Sequence, residues 1–331
     1  MRIFSGIQPT GSKHLGNYIG AVVRYVEGQE RGEGIYCVVD LHATTVAYEP
    51  EALRTGVYDL TATLLAAGLD PERCILFRQS DVLEHSELQW LLSSVTAYGE
   101  LQRMTQFKDK SGSQRDLVSA GLFTYPVLMA ADVLLYRAHE VPVGDDQRQH
   151  VELMRNVAER FNQRFGETLV VPEGTYPTVG ARIMDLQYPD RKMSTTGGSP
   201  QGTVYVLDEP DVIMKKFARA VTDSGSEIAR GPGKEGIENL LEILAAVRGV
   251  TIEQVEREFQ GSGYGDFKKA VGAAVVDYVT PVRERYEELR ADEGELEAIL
   301  AEGAERARAI AVETMADVRA AMGVGPVRVA R

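Results

Sequence analysis

The sequence predicts an α/β protein, with an open and mostly parallel sheet followed by an all-helical C-terminal region. Three observations carry this. In the first half, short apolar runs alternate with amphipathic helical periods. Ile35-Tyr36-Cys37-Val38-Val39 is continuously apolar, as in a parallel strand covered on both faces. From about Asp208 onward, long helical periods follow with little strand character. The 331 residues are ample for two domains at about 150 residues each. The change of pattern places the expected boundary between residues 1–207 and 208–331.

Arg2–Ile7 is the first predicted strand, and it breaks at Gln8-Pro9-Thr10-Gly11-Ser12. Leu15, Ile19, Val22, Val23 and Val26 then share one face of a helix. After the strand at Ile35–Val39 comes a helix beyond Pro50, marked by Leu53, Val57, Leu60 and Leu64. Cys74–Phe77 reads as strand and Ser86–Tyr98 as helix. In the last part the helical periods are Val212–Ala220, Gly236–Ala246, Ile252–Phe259, Tyr264–Leu289 and Leu296–Met322, separated by glycine and proline breaks. Ligands of such sheets bind beyond the carboxyl ends of the strands.

Composition narrows the class. Hydrophobic residues are 44% and charged residues 26%, ordinary for a globular chain. No apolar run approaches the ~20 residues of a membrane span, so no membrane partner is expected. Two cysteines, both in apolar runs, exclude a disulfide framework or zinc knuckle and suit free buried thiols in a reducing cytoplasm. The net charge of −13 argues against indiscriminate nucleic-acid binding but leaves room for a local basic patch.

Two segments carry chemistry. Gln8-Pro9-Thr10-Gly11-Ser12-Lys13-His14-Leu15-Gly16-Asn17 joins a strand to a helix whose unpaired N–H groups and dipole favour phosphate. Arg191-Lys192-Met193-Ser194-Thr195-Thr196-Gly197-Gly198-Ser199-Pro200 offers a lysine, hydroxyls and a glycine pair suited to hinge motion. Taken singly, the first also fits a structural turn and the second an exposed linker. A third segment places Tyr125, Met129, Asp132 and Tyr136 at i, i+4, i+7 and i+11, on one helical face. Asp132 is the one carboxylate in that apolar run. It either pairs internally or waits for a donor on a ligand; indole supplies both a flat apolar ring and an N–H.

The first two segments resemble, in order and separation, the HIGH and KMSKS motifs of class I aminoacyl-tRNA synthetases. The third closely resembles bacterial tryptophanyl-tRNA synthetases. So do Gly6–Gly11, Gly16–Gly20, Asp40-Leu41-His42-Ala43, Met104–Ser111, Val141–His150 and Gly180–Met184. The resemblance runs from Phe4 to about Met322.

What the resemblance implies is specific. The fold would be a Rossmann-like catalytic domain with a helical anticodon-binding domain. An insertion at about 47–120 would serve the dimer interface and the acceptor stem. Phe4, His42, Tyr125, Met129, Asp132, Val141, Val143 and Gln147 would hold tryptophan, with Asp132 accepting the indole N–H. Gln8, Thr10, Gly16, Asn17, Gly144, Asp146, Ile183, Lys192, Met193, Ser194 and Thr195 would hold ATP. His14, Asn17, Lys110, Lys192 and Ser194 would serve catalysis. Mg²⁺ would come with the ATP phosphates, with no protein metal cluster. The partners would be tRNA(Trp) and a second copy in a cytoplasmic homodimer. Lys215, Lys216, Lys268, Lys269, Arg306 and Arg308 are candidate tRNA contacts. Phenylalanine, lacking the N–H, would leave Asp132 buried and unpaired. The chain departs from the usual pattern at Thr195, where the motif carries a second lysine. A tyrosyl enzyme, a nucleotidyltransferase without tRNA and a non-catalytic paralogue are the alternatives; the Met129–Asp132 helix disfavours the first.

Overall fold

The computed structural model describes residues 1–105, 118–176, 183–194 and 198–325. Lys110, Thr195 and Gly197 lie outside the described residues. In chain order the elements are β1 (Arg2–Ile7), α1 (Leu15–Asn17), a π-helical turn (Tyr18–Val22), α2 (Val23–Arg31), β2 (Glu33–Val38) and α3 (Asp40–Ala43). Then come α4 (Pro50–Ala66), β3 (Ile75–Arg78), α5 (Glu84–Ser93), α6 (Tyr98–Arg103), α7 (Ala120–Leu134), β4 (Glu140–Pro142), α8 (Arg148–Phe165) and β5 (Glu173–Thr175). The last are α9 (Pro210–Ala218), α10 (Glu235–Arg248), α11 (Ile252–Glu258), α12 (Tyr264–Arg290) and α13 (Glu293–Met322).

The chain divides into two compact units: Met1–Thr10, Tyr25–Tyr176 and Asp292–Arg331 form one, and Gly11–Arg24 with Pro177–Ala291 the other. In the first, the strands form a sheet of order β3-β2-β1-β4-β5, with every pairing parallel. The order reverses direction between β1 and β4. That switch point opens a crevice at the strands' carboxyl ends. Both free cysteines, Cys37 and Cys74, are buried in this unit.

These units do not follow the division at residue 207. Helix α13, read from its periodicity as part of the helical region, belongs to the sheet unit and packs on β3. Its buried face is lined by small residues, Gly303, Ala304, Ala307 and Ala311. They let it approach so closely that a Cβ at Gly303 would stand 1.8 Å from the Leu76 carbonyl oxygen. An ion pair of 2.8 Å between Arg78 and Glu297 fastens the same junction. The stretch 47–120 likewise contains β3, a strand of the central sheet, so its first part is integral to the sheet.

The second unit is mainly helical. Helices α9, α10 and α11 pack around α12 directly or through one another, over a core that includes Ile213, Phe217, Ile237, Leu240 and Phe267. Gly272 lets α9 and α12 approach: a Cβ there would lie 3.0 Å from Met214 Sδ.

Candidate active site

In the sheet unit a cavity of about 300 Å³ opens at the switch point. The end of β1 supplies Phe4 and Gly6, with Gln8 beyond it; β4 and the following turn supply Val141, Val143 and Gly144. His42 comes from the one-turn helix α3, Tyr125, Met129 and Asp132 from α7, and Gln147 from the turn leading into α8. All eight side chains expected to hold tryptophan therefore line one cavity, together with Gln8 and Gly144. Ser5, Tyr25, Val39, Val133 and Pro142, which sequence reasoning did not single out, complete it.

Asp132 is 2% exposed, and it is not waiting unpaired. Oδ2 accepts from His42 Nε2 at 2.7 Å. Oδ1 accepts from Gln79 Nε2 at 2.6 Å and from His85 Nδ1 at 2.7 Å. Burial pushes its carboxyl up, but the His42 and His85 rings outweigh burial and hold it well below the usual carboxylate range. The group therefore stands ionised in an apolar wall. Gln79 ties α3 to α7, because its Oε1 also accepts the Leu41 N–H at 3.1 Å. Sequence reasoning missed Gln79 and His85. The only signal was that a carboxylate in an apolar run needs donors from somewhere.

Tyr125 shares its hydroxyl with His150 Nε2 at 2.9 Å, and burial raises its phenol to about 12. Gln147 donates through Nε2 to Asp146 Oδ2 at 2.6 Å. Asp146 also crowds Gly144, where a Cβ would meet its Oδ1 at 2.6 Å. A side chain at Gly144 would have to displace the exposed Asp146 carboxylate.

The two phosphate-type motifs meet inside the second unit. Gly11 takes a left-handed φ of 65°, which favours glycine at this turn. Lys13–Leu15 pairs with the 204–206 segment, through Leu15 N to Val204 O at 2.8 Å and Val206 N to Lys13 O at 3.0 Å. His14 caps α1: Nδ1 accepts the Asn17 N–H at 3.2 Å, while Asn17 Oδ1 accepts the His14 N–H at 3.4 Å. Gly16 packs where a Cβ would lie 3.2 Å from the His14 ring and 3.3 Å from Ile183 Cβ. Ile183 and Met193 are joined by a 3.0 Å backbone bond, and Met184 and Lys192 form an antiparallel bridge. Their neighbours Ile183 and Met193 are themselves buried, whereas Lys192 is exposed.

The electrostatics of this pair of motifs is distinctive. Burial lowers Lys13 to about 8. Burial first, then the charges of Lys192 and Lys13, lowers His14 to about 4. At neutral pH the His14 ring is uncharged. Since Nδ1 accepts, Nε2 carries the proton and is a neutral donor.

Gly198 has no room for a side chain: a Cβ there would strike Thr203 Oγ1 at 2.3 Å and Ser194 O at 2.4 Å. Nearby, the buried Asp185 accepts from the N–H groups of Gln187 (2.8 Å), Tyr188 (3.1 Å) and Ser199 (2.8 Å). Among the candidate tRNA contacts, Lys216 is taken up by Asp208 at 2.6 Å, Arg306 by Pro71 O at 2.6 Å and Arg308 by Glu84 at 3.2 Å.

The sheet unit thus carries a cavity at its switch point, and the other unit a histidine-capped glycine turn beside a hairpin that bears Lys192. The family model of tRNA synthetases class I (W and Y) matches residues 1–280, and the chain belongs to that family. It is 52% identical over 325 residues to the tryptophan–tRNA ligase of Leifsonia xyli subsp. xyli, covering 97% of this chain and 96% of the relative. Tryptophanyl-tRNA synthetase from Mycoplasma pneumoniae has a similar structure, with a TM-score of 0.89, 38% identity and 98% of each chain covered. So does the enzyme from Campylobacter jejuni complexed with ADP and tryptophan, with a TM-score of 0.83, 34% identity and 98% and 100% covered.

Among the described residues no group of His, Cys, Asp and Glu is arranged to hold a metal ion. No described helix is long and apolar enough to cross a membrane.

Proposed function

We propose that the chain attaches L-tryptophan to tRNA(Trp) at the expense of ATP, through a tryptophanyl-adenylate, releasing AMP and pyrophosphate. The observation that carries the reading is the cavity at the switch point. Phe4, Met129, Val141 and Val143 present apolar walls, and an ionised, buried Asp132 stands among them. This is a site for a flat ring that bears one N–H. Relatives named tryptophan–tRNA ligase at about half identity over nearly the whole chain support the same substrate.

In the proposed reaction the tryptophan carboxylate attacks the α-phosphorus of ATP and pyrophosphate leaves. The terminal ribose hydroxyl of tRNA then takes the tryptophanyl group. No covalent enzyme intermediate is needed, so positioning and charge stabilisation carry the rate. Tyr125 and Gln147 bind the substrate's ammonium and carboxylate. His14, as a neutral Nε2–H donor, and Asn17 serve the phosphates. Lys192, exposed beside them, supplies the charge that pyrophosphate develops against, with Ser194 and Lys110 assisting. Mg²⁺ accompanies ATP, held by phosphate oxygens and water.

The helices α9–α12 are assigned to anticodon recognition, with exposed Lys215 and Lys269 as phosphate contacts. Leu83, Trp90 and Tyr98 are 70%, 75% and 69% exposed and lie within the 47–120 stretch. Large apolar side chains so exposed suit a subunit interface, which supports a homodimer. A cytoplasmic location follows from the tRNA partner and the free thiols.

The test is amino-acid-dependent ATP–pyrophosphate exchange with tryptophan, tyrosine and phenylalanine. Exchange driven by tryptophan alone is expected. Exchange with tyrosine moves the assignment within the family, and no exchange despite tryptophan binding makes the chain a binding paralogue.

A further inference from the structure

Behind the cavity wall lies a buried polar chain that the proposed reaction does not use. His85 is 0% exposed and so is Tyr136. His85 reaches Asp132 Oδ1 through Nδ1 at 2.7 Å and the Tyr136 hydroxyl through Nε2 at 2.7 Å. Tyr136 in turn stacks on Phe4, with ring centroids 5.5 Å apart and an interplanar angle of 11°. The chain thus runs from the ring wall of the cavity, through a phenol and an imidazole, to the carboxylate.

The protons along it follow from the acceptors. An ionised carboxylate accepts only, so His85 donates from Nδ1. Nε2 shares a proton with the Tyr136 hydroxyl, so the ring is held from both ends.

The lone pairs of Asp132 are also accounted for. Each carboxylate oxygen accommodates about two donors. Oδ1 holds two, Gln79 and His85. Oδ2 holds one, His42. A further donor arriving from the cavity therefore goes to Oδ2.

We propose that His85 is the positioning residue for recognition of the indole N–H: locked between Tyr136 and Asp132 Oδ1, it turns the carboxylate so that Oδ2 is the oxygen offered to the substrate. It touches no substrate atom and acts through Asp132. Without it, Oδ1 keeps Gln79 alone, and both oxygens have one open place. The carboxylate then has no preferred presentation. The inference rests on the reading that the cavity holds the indole ring.

The experiment is ATP–pyrophosphate exchange by the full chain with tryptophan and with β-(3-benzothienyl)alanine, in which sulfur replaces the indole N–H. The readout is the ratio of the two kcat/KM values. Both substrates are measured on one preparation, so the ratio does not depend on how much of a variant is folded. The wild type favours tryptophan. His85→Leu is expected to shrink that preference by about 10-fold or more, since a buried charge loses a donor. The loss falls on tryptophan and the isostere changes little.

His85→Asn places an amide donor near the Nδ1 position and restores most of the preference. Tyr136→Phe frees the outer end of the imidazole and lowers the preference several-fold. If His85→Leu slows both substrates equally, or if Tyr136→Phe leaves the ratio untouched where His85→Leu yields no folded protein, the inference is overturned. Asp132→Ala separates the two levels. If it collapses the preference while His85→Leu does not, only the role of His85 falls. If it leaves the preference intact, the indole reading of the cavity falls with it.

Discussion

Removing the Asp185 carboxylate is expected to loosen the hairpin that carries Lys192. Asp185 is 1% exposed. Its oxygens hold the N–H groups of Gln187, Tyr188 and Ser199, and the Ser199 hydroxyl at 3.0 Å. Those partners bracket residues 192–194 from both sides. Asp185→Ala strands three backbone donors that are partly reachable by water, at about 1 kcal/mol each, so the expected loss is about 3 kcal/mol. The neighbouring glycine provides an internal check. A Cβ at Gly202 would stand 1.7 Å from Asp185 Oδ1. Gly202→Ala alone is therefore destabilising by a similar amount, yet with Asp185→Ala already in place its main clash is gone. Urea unfolding of the two single variants and the double variant measures the coupling. The double variant is expected to lose at least ~1.5 kcal/mol less than the sum of the singles. Asp185→Ala should also raise the KM for ATP about 10-fold while that for tryptophan moves little. Additivity within ~0.5 kcal/mol, with an unchanged KM for ATP, would refute the clamp.

Lys192→Ala is expected to lower kcat/KM for tryptophan-dependent exchange by about 10²–10³, because it removes charge aimed at the leaving pyrophosphate; a loss under ~10-fold excludes this lysine as the phosphate clamp. Gly303→Ala should cost about 3 kcal/mol in urea unfolding, since its Cβ would lie 1.8 Å from the Leu76 carbonyl oxygen and backbone yields little; an unchanged midpoint contradicts the packing of α13 on β3. His14, lowered to about 4 by burial first and then by Lys192 and Lys13, gives a pH signature. Between the ordinary value of 6.5 and about 4 the unfolded chain binds a proton that the folded chain refuses. The His14 contribution is therefore intact above pH 6.5 and is lost as pH falls toward 4. His14→Asn keeps a capping side chain without titrating. Wild type should lose stability relative to it across that window, and a flat difference from pH 7 to 4 disproves the neutral cap.

The elements of this fold were legible because burial imposes a period. Ile35–Val38 reads as a covered strand and is one; Leu53, Val57, Leu60 and Leu64 mark α4. Where those elements go was less legible. The stripe of α13 announces a buried face but not its partner, and the small residues at 303, 304, 307 and 311 fit a helix neighbour as well as a strand. Gly198 shows the same limit at one residue. Two adjacent glycines suggest a hinge, and at Gly198 the structure adds a reason for glycine that the sequence did not show, a lack of room for a side chain. Close approach and flexibility leave the same mark in a sequence.

Asp132 shows what long-range pairing adds. From the sequence it is one carboxylate in an apolar helix, and its selectivity would come from being left unpaired beside phenylalanine. In the fold it receives donors from positions 42, 79 and 85, none of which its own helix could announce. Losing the indole N–H therefore costs one hydrogen bond at Oδ2 and leaves no orphan charge. Rejection of about 10⁴–10⁵ requires a buried polar group that the wrong substrate leaves without any partner. One forgone bond to an already satisfied carboxylate is worth roughly 1.5–3 kcal/mol, about 10- to 150-fold. If the cavity holds tryptophan as proposed, discrimination against phenylalanine beyond that range must come from the apolar walls of Phe4, Met129, Val141 and Val143. Competition between tryptophan and phenylalanine in the exchange assay separates the two sources. Asp132→Ala should relax the preference by no more than ~10²-fold, and a larger collapse would mean that the carboxylate alone reads the substrate.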